Sequence, residues 1–165
     1  MSKDINLIQS EFKTLIEEFK LEDKDMFIFD FLLIYDTAKS RVTQFKKGTG
    51  NLSKHPDELF VKDKVFFKKV TTNDEVIDEY TKAIDDEKII KNKVNFVIVT
   101  DFNLLLAKDM KTGDTLKCDF LKVHEEFLFF APLAGYMKSS PIIKNHLDVK
   151  AIGIMTKLFD EIKKH

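Results

Sequence analysis

An acidic residue two positions before a lysine is the minimal pair of a metal-dependent nuclease. The carboxylate holds Mg²⁺, and the ammonium polarises the attacking water or the phosphate. The 165-residue chain contains seven such triplets, among them Glu11-x-Lys13, Asp109-x-Lys111 and Asp148-x-Lys150. Chance alone gives about four at this composition, so the pattern itself carries little information. Asp109-x-Lys111 stands out because it ends one predicted strand and Asp101 ends the strand before it. The four histidines, at 55, 124, 146 and 165, have no metal-ligand spacing and read as surface residues. Cys118 is the single cysteine, which excludes an internal disulfide and a multi-cysteine zinc site. It alternates with Leu116 and Phe120 and reads as a buried, inert thiol. No metal ligand set is predicted. Nothing resembles a phosphate-cradling glycine loop or a nucleophile elbow.

Charge is the second source of chemistry. Lysine and arginine total 27 and aspartate and glutamate 28, for a net charge of −1. The distribution is uneven. Between positions 39 and 69 lie Lys39, Arg41, Lys46, Lys47, Lys54, Lys62, Lys64, Lys68 and Lys69, against only Asp57, Glu58 and Asp63. Between 74 and 88, seven acids face Lys82 and Lys88. The basic stretch fits a strip that contacts phosphates. It equally fits a solvated face paired to the acidic helix that follows. Phe45, Phe60, Phe66 and Phe67 interleave the lysines at strand and helix spacing, which reads as core rather than as platforms for bases. Arg41 is the only arginine, so bidentate arginine readout of guanine is nearly unavailable.

The elements that must position these residues follow from periodicity. Ile5, Ile8, Phe12, Leu15, Ile16 and Phe19 predict an amphipathic helix over 4–20. The apolar run 26–35 allows either a buried helix or a buried strand. Thr37 or Ser40 is the expected cap of a short helix through Val42 and Phe45, and Gly48-Thr49-Gly50-Asn51 breaks the chain. Leu59–Val61 and Val65–Phe67 predict one strand or a bulged hairpin. Thr72 caps a predicted helix over 73–84. The run 94–99 predicts a strand covered on both faces. Residues 104–107 and 115–118 flank a hairpin turn with Gly113 at positive φ. An apolar turn region follows at 127–135, and a final helix is predicted over about 147–163. This order points to an α/β (α+β) fold with a central mixed β-sheet flanked by helices. It divides into a helical part over 1–47, a sheet-containing core over 58–136 and a C-terminal linking helix over 147–164. No apolar run approaches a membrane span, and the N-terminus lacks a signal-peptide core, so a cytoplasmic location with no membrane partner is expected.

Several segments carry a resemblance. Arg41-Val42-Thr43-Gln44-Phe45-Lys46-Lys47-Gly48 with Asn51-Leu52-Ser53-Lys54, then Lys64-Val65-Phe66-Phe67-Lys68, resemble a "TIxRLKKGxxNLSK" segment and its "KLFFK" continuation. Phe96–Phe102 with Leu104–Ala107 is similar to "FIIVTDFxxLLA", and Asp109–Leu116 to "DTKTxxTLDI". Phe129–Tyr136 resembles "FFLPLAGxEK", and Asp148–Glu161 resembles "ADVKAAEKMAxLYDEL". This series resembles the N-terminal region of bacterial restriction-modification DNA methyltransferases, including MmeI-like type IIG adenine-specific enzymes. The resemblance implies a restriction-endonuclease-like sheet and a helix at 26–36. It also implies that the chain is part of a longer protein with methyltransferase and target-recognition domains downstream. S-adenosylmethionine is then the cofactor of the parent, with none expected in this stretch, which lacks the cofactor-binding glycine and Asn-Pro-Pro motifs.

One departure matters. Nuclease-competent relatives carry Glu-x-Lys on the central strand after an earlier Asp, whereas the matching strand here places Phe where the acid is expected. The reading is therefore a domain that contacts DNA through Lys39, Arg41, Lys46, Lys47, Lys54, Lys62 and Lys64, docks on its own methyltransferase body, and does not cut. An active Mg²⁺ nuclease would instead draw on Asp57, Glu58 and Lys68, or on Asp101, Asp109 and Lys111. A protein-interaction module unrelated to DNA is the third reading.

Overall fold

The computed structural model describes residues 3–137. The predicted helix over 147–163, with Asp148 and Lys150, lies outside them. Helix α1 (Ile5–Glu17) starts where the Asp4 side chain accepts the backbone N–H groups of Asn6 and Leu7. Its buried stripe is Ile5, Ile8, Phe12 and Ile16. Residues 26–36 resolve as helix α2 (Phe27–Ile34), buried through Phe27, Ile28, Phe31, Leu32 and Ile34. It ends at Asp36, whose φ is 70°. Helix α3 (Lys39–Lys46) follows.

Neither expected residue caps α3. The N-cap position is Ala38, which makes no side-chain cap bond. Thr37 is occupied one step earlier. Its N–H closes α2 by bonding the Leu32 carbonyl, which turns its side chain inward, and its hydroxyl has no hydrogen-bond partner among the described residues.

Five strands form one mixed sheet in the order β1 (Glu58–Val61), β2 (Val65–Lys69), β3 (Phe96–Thr100), β4 (Leu104–Asp109), β5 (Thr115–Asp119). β1 and β2 make an antiparallel hairpin. Helices α4 (Asn73–Ile84) and α5 (Glu87–Lys91) connect β2 to β3, which run parallel. β3–β4 and β4–β5 are antiparallel. Thr72 caps α4 as expected, accepting the Glu75 N–H at 3.2 Å. β3 lies mid-sheet with all five residues buried, and Gly113 takes φ 82° in the last hairpin.

Alternation along the strands fills two separate cores. Leu59, Val61, Val65, Phe67, Phe96, Ile98, Leu105 and Ala107 pack with α1, α2 and α3. Phe60, Phe66, Val97, Val99 and Leu106 pack with α4 and α5. The result is helix layers on both sheet faces.

The apolar stretch expected as a turn is instead a 3-10 helical segment, Phe120–Ala134, kinked at Glu126. Its aromatic and aliphatic side chains cover the first core, and Gly135 ends it at φ 91°. The buried Tyr35 hydroxyl donates to the Phe127 carbonyl at 2.6 Å, which locks this segment onto α2. Phe12 meets Phe31 and Tyr35 edge-on at 5.5 and 5.9 Å.

Packing outweighs that one hydrogen bond. Phe12→Ala is expected to destabilise the chain by about 4 kcal/mol, and Tyr35→Phe by about 1 kcal/mol. Equilibrium denaturation with urea measures both. Equal losses would show that the phenol bond, not the aromatic cluster, joins the two layers.

Candidate nucleic-acid interface

The seven cations expected to contact DNA occupy the sheet's β1 side. Lys39 and Arg41 are exposed on α3, with the Arg41 guanidinium 5.3 Å from the Phe45 ring centroid. Lys46 and Lys47 end that helix, both exposed, and Lys54 is exposed in the loop before β1. Lys62 is exposed in the β1–β2 turn, and Lys64 is half-buried there. Burial, with Arg41 nearby, holds Lys64 below its ordinary pKa against the pull of Asp36. The structure therefore joins Lys64 to the first turn of α3. Lys46, Lys47 and Lys54 border an open groove of about 770 Å³ at the other end of the helix. Eight helical residues separate the two ends by about 12 Å. None of the seven forms an ion pair among the described residues.

Lys68 and Lys69 are different. They are adjacent on β2, so they point to opposite faces. Lys68 turns toward α4 and bonds Glu58 at 3.0 Å and Glu79 at 3.1 Å. Lys69 turns toward α2 and bonds Asp57 at 2.5 Å and Asp25 at 2.8 Å. Burial lowers both ammonium pKa values, but the carboxylate hydrogen bonds outweigh it and both rise. The reading of the basic stretch as paired to the acidic helix thus holds for Lys68 alone of the nine.

The candidate nuclease acids do not converge. Asp57, in the turn that leads into β1, and Glu58, its first residue, serve Lys69 and Lys68 on opposite faces. Asp101 accepts the N–H groups of Asn103 at 2.9 Å and Leu104 at 2.7 Å, which holds Phe102 at φ 66°. Asp109 is buried and accepts from the N–H groups of Lys111 at 2.9 Å and Thr112 at 3.2 Å in the last hairpin. The β3–β4 register pairs Phe96 with Asp109 and Thr100 with Leu105. Asp101 and Asp109 therefore stand at opposite ends of the hairpin, about 15 Å apart at strand rise. Among the described residues no three His, Cys, Asp or Glu side chains are grouped to hold a metal ion.

Lys69 is the residue that sequence reasoning missed. The resemblance matches the strand only as far as Lys68. The hairpin pairs Glu58 with Lys68 and Leu59 with Phe67, which sets Asp57 opposite Lys69. On that face the sequence Phe67-x-Lys69 follows Asp57, so Phe67 stands where Glu-x-Lys would put its acid. The signal was available in the three-residue turn 62–64, which fixes the register. Asp25, contributed from before α2, had no such signal.

His55 is exposed, and its Nδ1 accepts the Asp57 N–H at 3.1 Å. His124 departs from the surface reading: it is half-buried, with Nδ1 lacking a partner among the described residues. Cys118 is half-buried rather than fully buried, and burial with Glu126, Asp119 and Glu125 around it pushes its thiol up to about 12.

The described residues thus form an α/β domain, a mixed five-stranded sheet with flanking helices and a cationic border. Over residues 6–165 the chain matches the model of the MmeI N-terminal domain, and it belongs to that family. It is similar to DNA methyltransferase A of Bacillus subtilis (strain 168), at 30% identity over 143 residues. That alignment covers 87% of this chain but only 16% of the relative's length. No solved structure matches at a significant level. No helix among the described residues is long and apolar enough to cross a membrane.

The Asp57–Lys69 pair has a pH signature. The Lys69 hydrogen bond holds the Asp57 carboxyl below the ordinary aspartate value of 3.8 despite slight burial. A depressed carboxylate stabilises the fold above its unfolded pKa and loses that contribution as pH falls through the folded value. Asp57→Asn is expected to cost less than about 1 kcal/mol at pH 7, because the Asp57 carboxyl is open to solvent. The difference from wild type should shrink below pH 3.8. Denaturant midpoints at pH 7 and pH 3 check this; a difference that grows at low pH would refute it.

Proposed function

We propose that the chain is the N-terminal, DNA-contacting domain of a longer restriction-modification DNA methyltransferase, adenine-specific in its parent. In this reading the sheet is restriction-endonuclease-like and has lost cleavage. The observation that carries it is the border of seven cations along α3 and the flanking loops, free of ion pairs among the described residues. Surface lysines left unpaired on one side of a domain cost like-charge repulsion, and polyanion binding relieves it by counterion release. Phe67 supports the loss of cleavage: a phenyl ring cannot ligate Mg²⁺, and Lys69 already neutralises Asp57. S-adenosylmethionine and the downstream methyltransferase and target-recognition domains belong to the parent. In this reading the location is cytoplasmic.

Duplex DNA is expected to bind weakly, with a salt slope of several units, since each neutralised phosphate contributes about −0.9. Changing Lys46, Lys47 and Lys54 together to Glu should abolish that binding in fluorescence anisotropy at low salt. Supercoiled plasmid incubated with the chain and Mg²⁺ or Mn²⁺ should stay intact. Unchanged affinity in the triple variant would reduce the border to a solvated face. Nicking that disappears in Asp57→Ala or Asp109→Ala would restore the nuclease reading.

A further inference from the structure

The cationic border does not explain the groove it encloses. Phosphate contact needs only lysines presented outward, yet Lys46, Lys47 and Lys54 surround a concave space of about 770 Å³ with an apolar floor. That floor includes Met26, 40% exposed, and Phe29, half-buried on α2. The four phenylalanines that interleave the lysines in sequence, Phe45, Phe60, Phe66 and Phe67, are all buried in the two cores. Phe29 comes from outside the basic stretch and is the ring that the fold leaves beside it. The Lys46 ammonium lies 5.7 Å from its centroid, so the ring face and the cation open onto the same space.

We propose that this groove takes unpaired nucleotides, a short single-stranded segment of DNA, in preference to duplex. The inference rests on the DNA-contacting role above and names the form of DNA. Bases within a duplex are stacked on each other and offer their faces to nothing else. An unpaired base has a free π-face, and an aromatic ring beside a lysine is the recurrent way proteins hold one. A phosphate beside Phe29 takes up the Lys46 ammonium, and the base takes its place against Phe29 and Met26. Lys47 and Lys54 lie within the same groove for the neighbouring phosphates. The acids Asp25, Asp57 and Glu58 also line it; the first two are bonded to Lys69 and the third to Lys68, so they present less repulsion than free carboxylates. The volume falls in the range of about 300–1,000 Å³ that holds small ligands, enough for one or two nucleotides.

The test uses the full chain and two fluorescein-labelled probes, a 12-nucleotide oligothymidylate and a 12-base-pair hairpin duplex, by anisotropy at low salt. Oligothymidylate is expected to bind at least fivefold more tightly. Phe29→Leu keeps the apolar floor but removes the stacking face, and should weaken the single strand about fivefold or more while leaving the duplex unchanged. Met26→Glu, at an exposed position, should reduce single-strand binding selectively even if position 29 proves intolerant. Duplex binding as tight as single-strand binding, or equal losses on both probes in these variants, overturns this inference and leaves the DNA-contacting reading standing. Binding of neither probe overturns both.

Discussion

The pairing register of the β1–β2 hairpin is the constraint on which the rest depends. Three turn residues place Val61 opposite Val65, with Asp63 at φ 63°. A period of two then decides every side chain on both strands. Leu59 and Phe67 enter one core, Phe60 and Phe66 the other. The same register carries the polar ends outward as two separate couples, Asp57 with Lys69 and Glu58 with Lys68. A one-residue slip would turn one strand's side chains toward the wrong core and break both carboxylate–lysine couples, so the separation of the carboxylates is as firmly set as the core. That is a stronger reason for the lack of a shared cation site than any single substitution.

Much of the fold was legible because its signals are local and periodic. The stripe of α1, the Thr72 cap and the Gly113 turn each need only a few neighbouring residues. So does the unbroken apolar run of β3, which correctly implied cover on both faces. The 26–35 run was not decidable in this way, since α2 is surrounded by apolar partners and shows no polar face with a period. The resemblance supplied helix there, and the structure agrees. The cap of α3 failed for a tertiary reason: Thr37 spends its backbone on closing α2, and its side chain follows inward. The stretch 127–135 reads as a turn because Pro132 and Gly135 dominate its end, whereas the structure makes 120–134 helical. Its helical character comes from packing on α1 and α2, not from propensity.

The site was less legible than the fold. The seven border cations are named from charge density alone; six of them are exposed and Lys64 is half-buried. Pairing across distance was invisible: Asp101 and Asp109 sit close in sequence and at adjacent strand ends, yet antiparallel geometry sends them to opposite poles. Lys69 and Lys68 looked equivalent in sequence and have different partners and different faces. Phe29 was absorbed into an apolar run and became distinguishable only when α2 was oriented against α3.

The side chain of Asn51 has a consequence beyond its loop. Its amide donates to the Glu58 carbonyl at 3.2 Å and accepts the Phe60 N–H at 2.9 Å, while the Leu52 N–H bonds the Phe60 carbonyl at 2.7 Å. One asparagine and one peptide unit thus stand in for a sixth strand along the outer border of β1. An exposed edge of Glu-Leu-Phe-Val, with its high β propensity, would otherwise invite another chain to extend the sheet. The lysines on this side therefore stand over a strand border whose backbone groups at Glu58 and Phe60 are already taken.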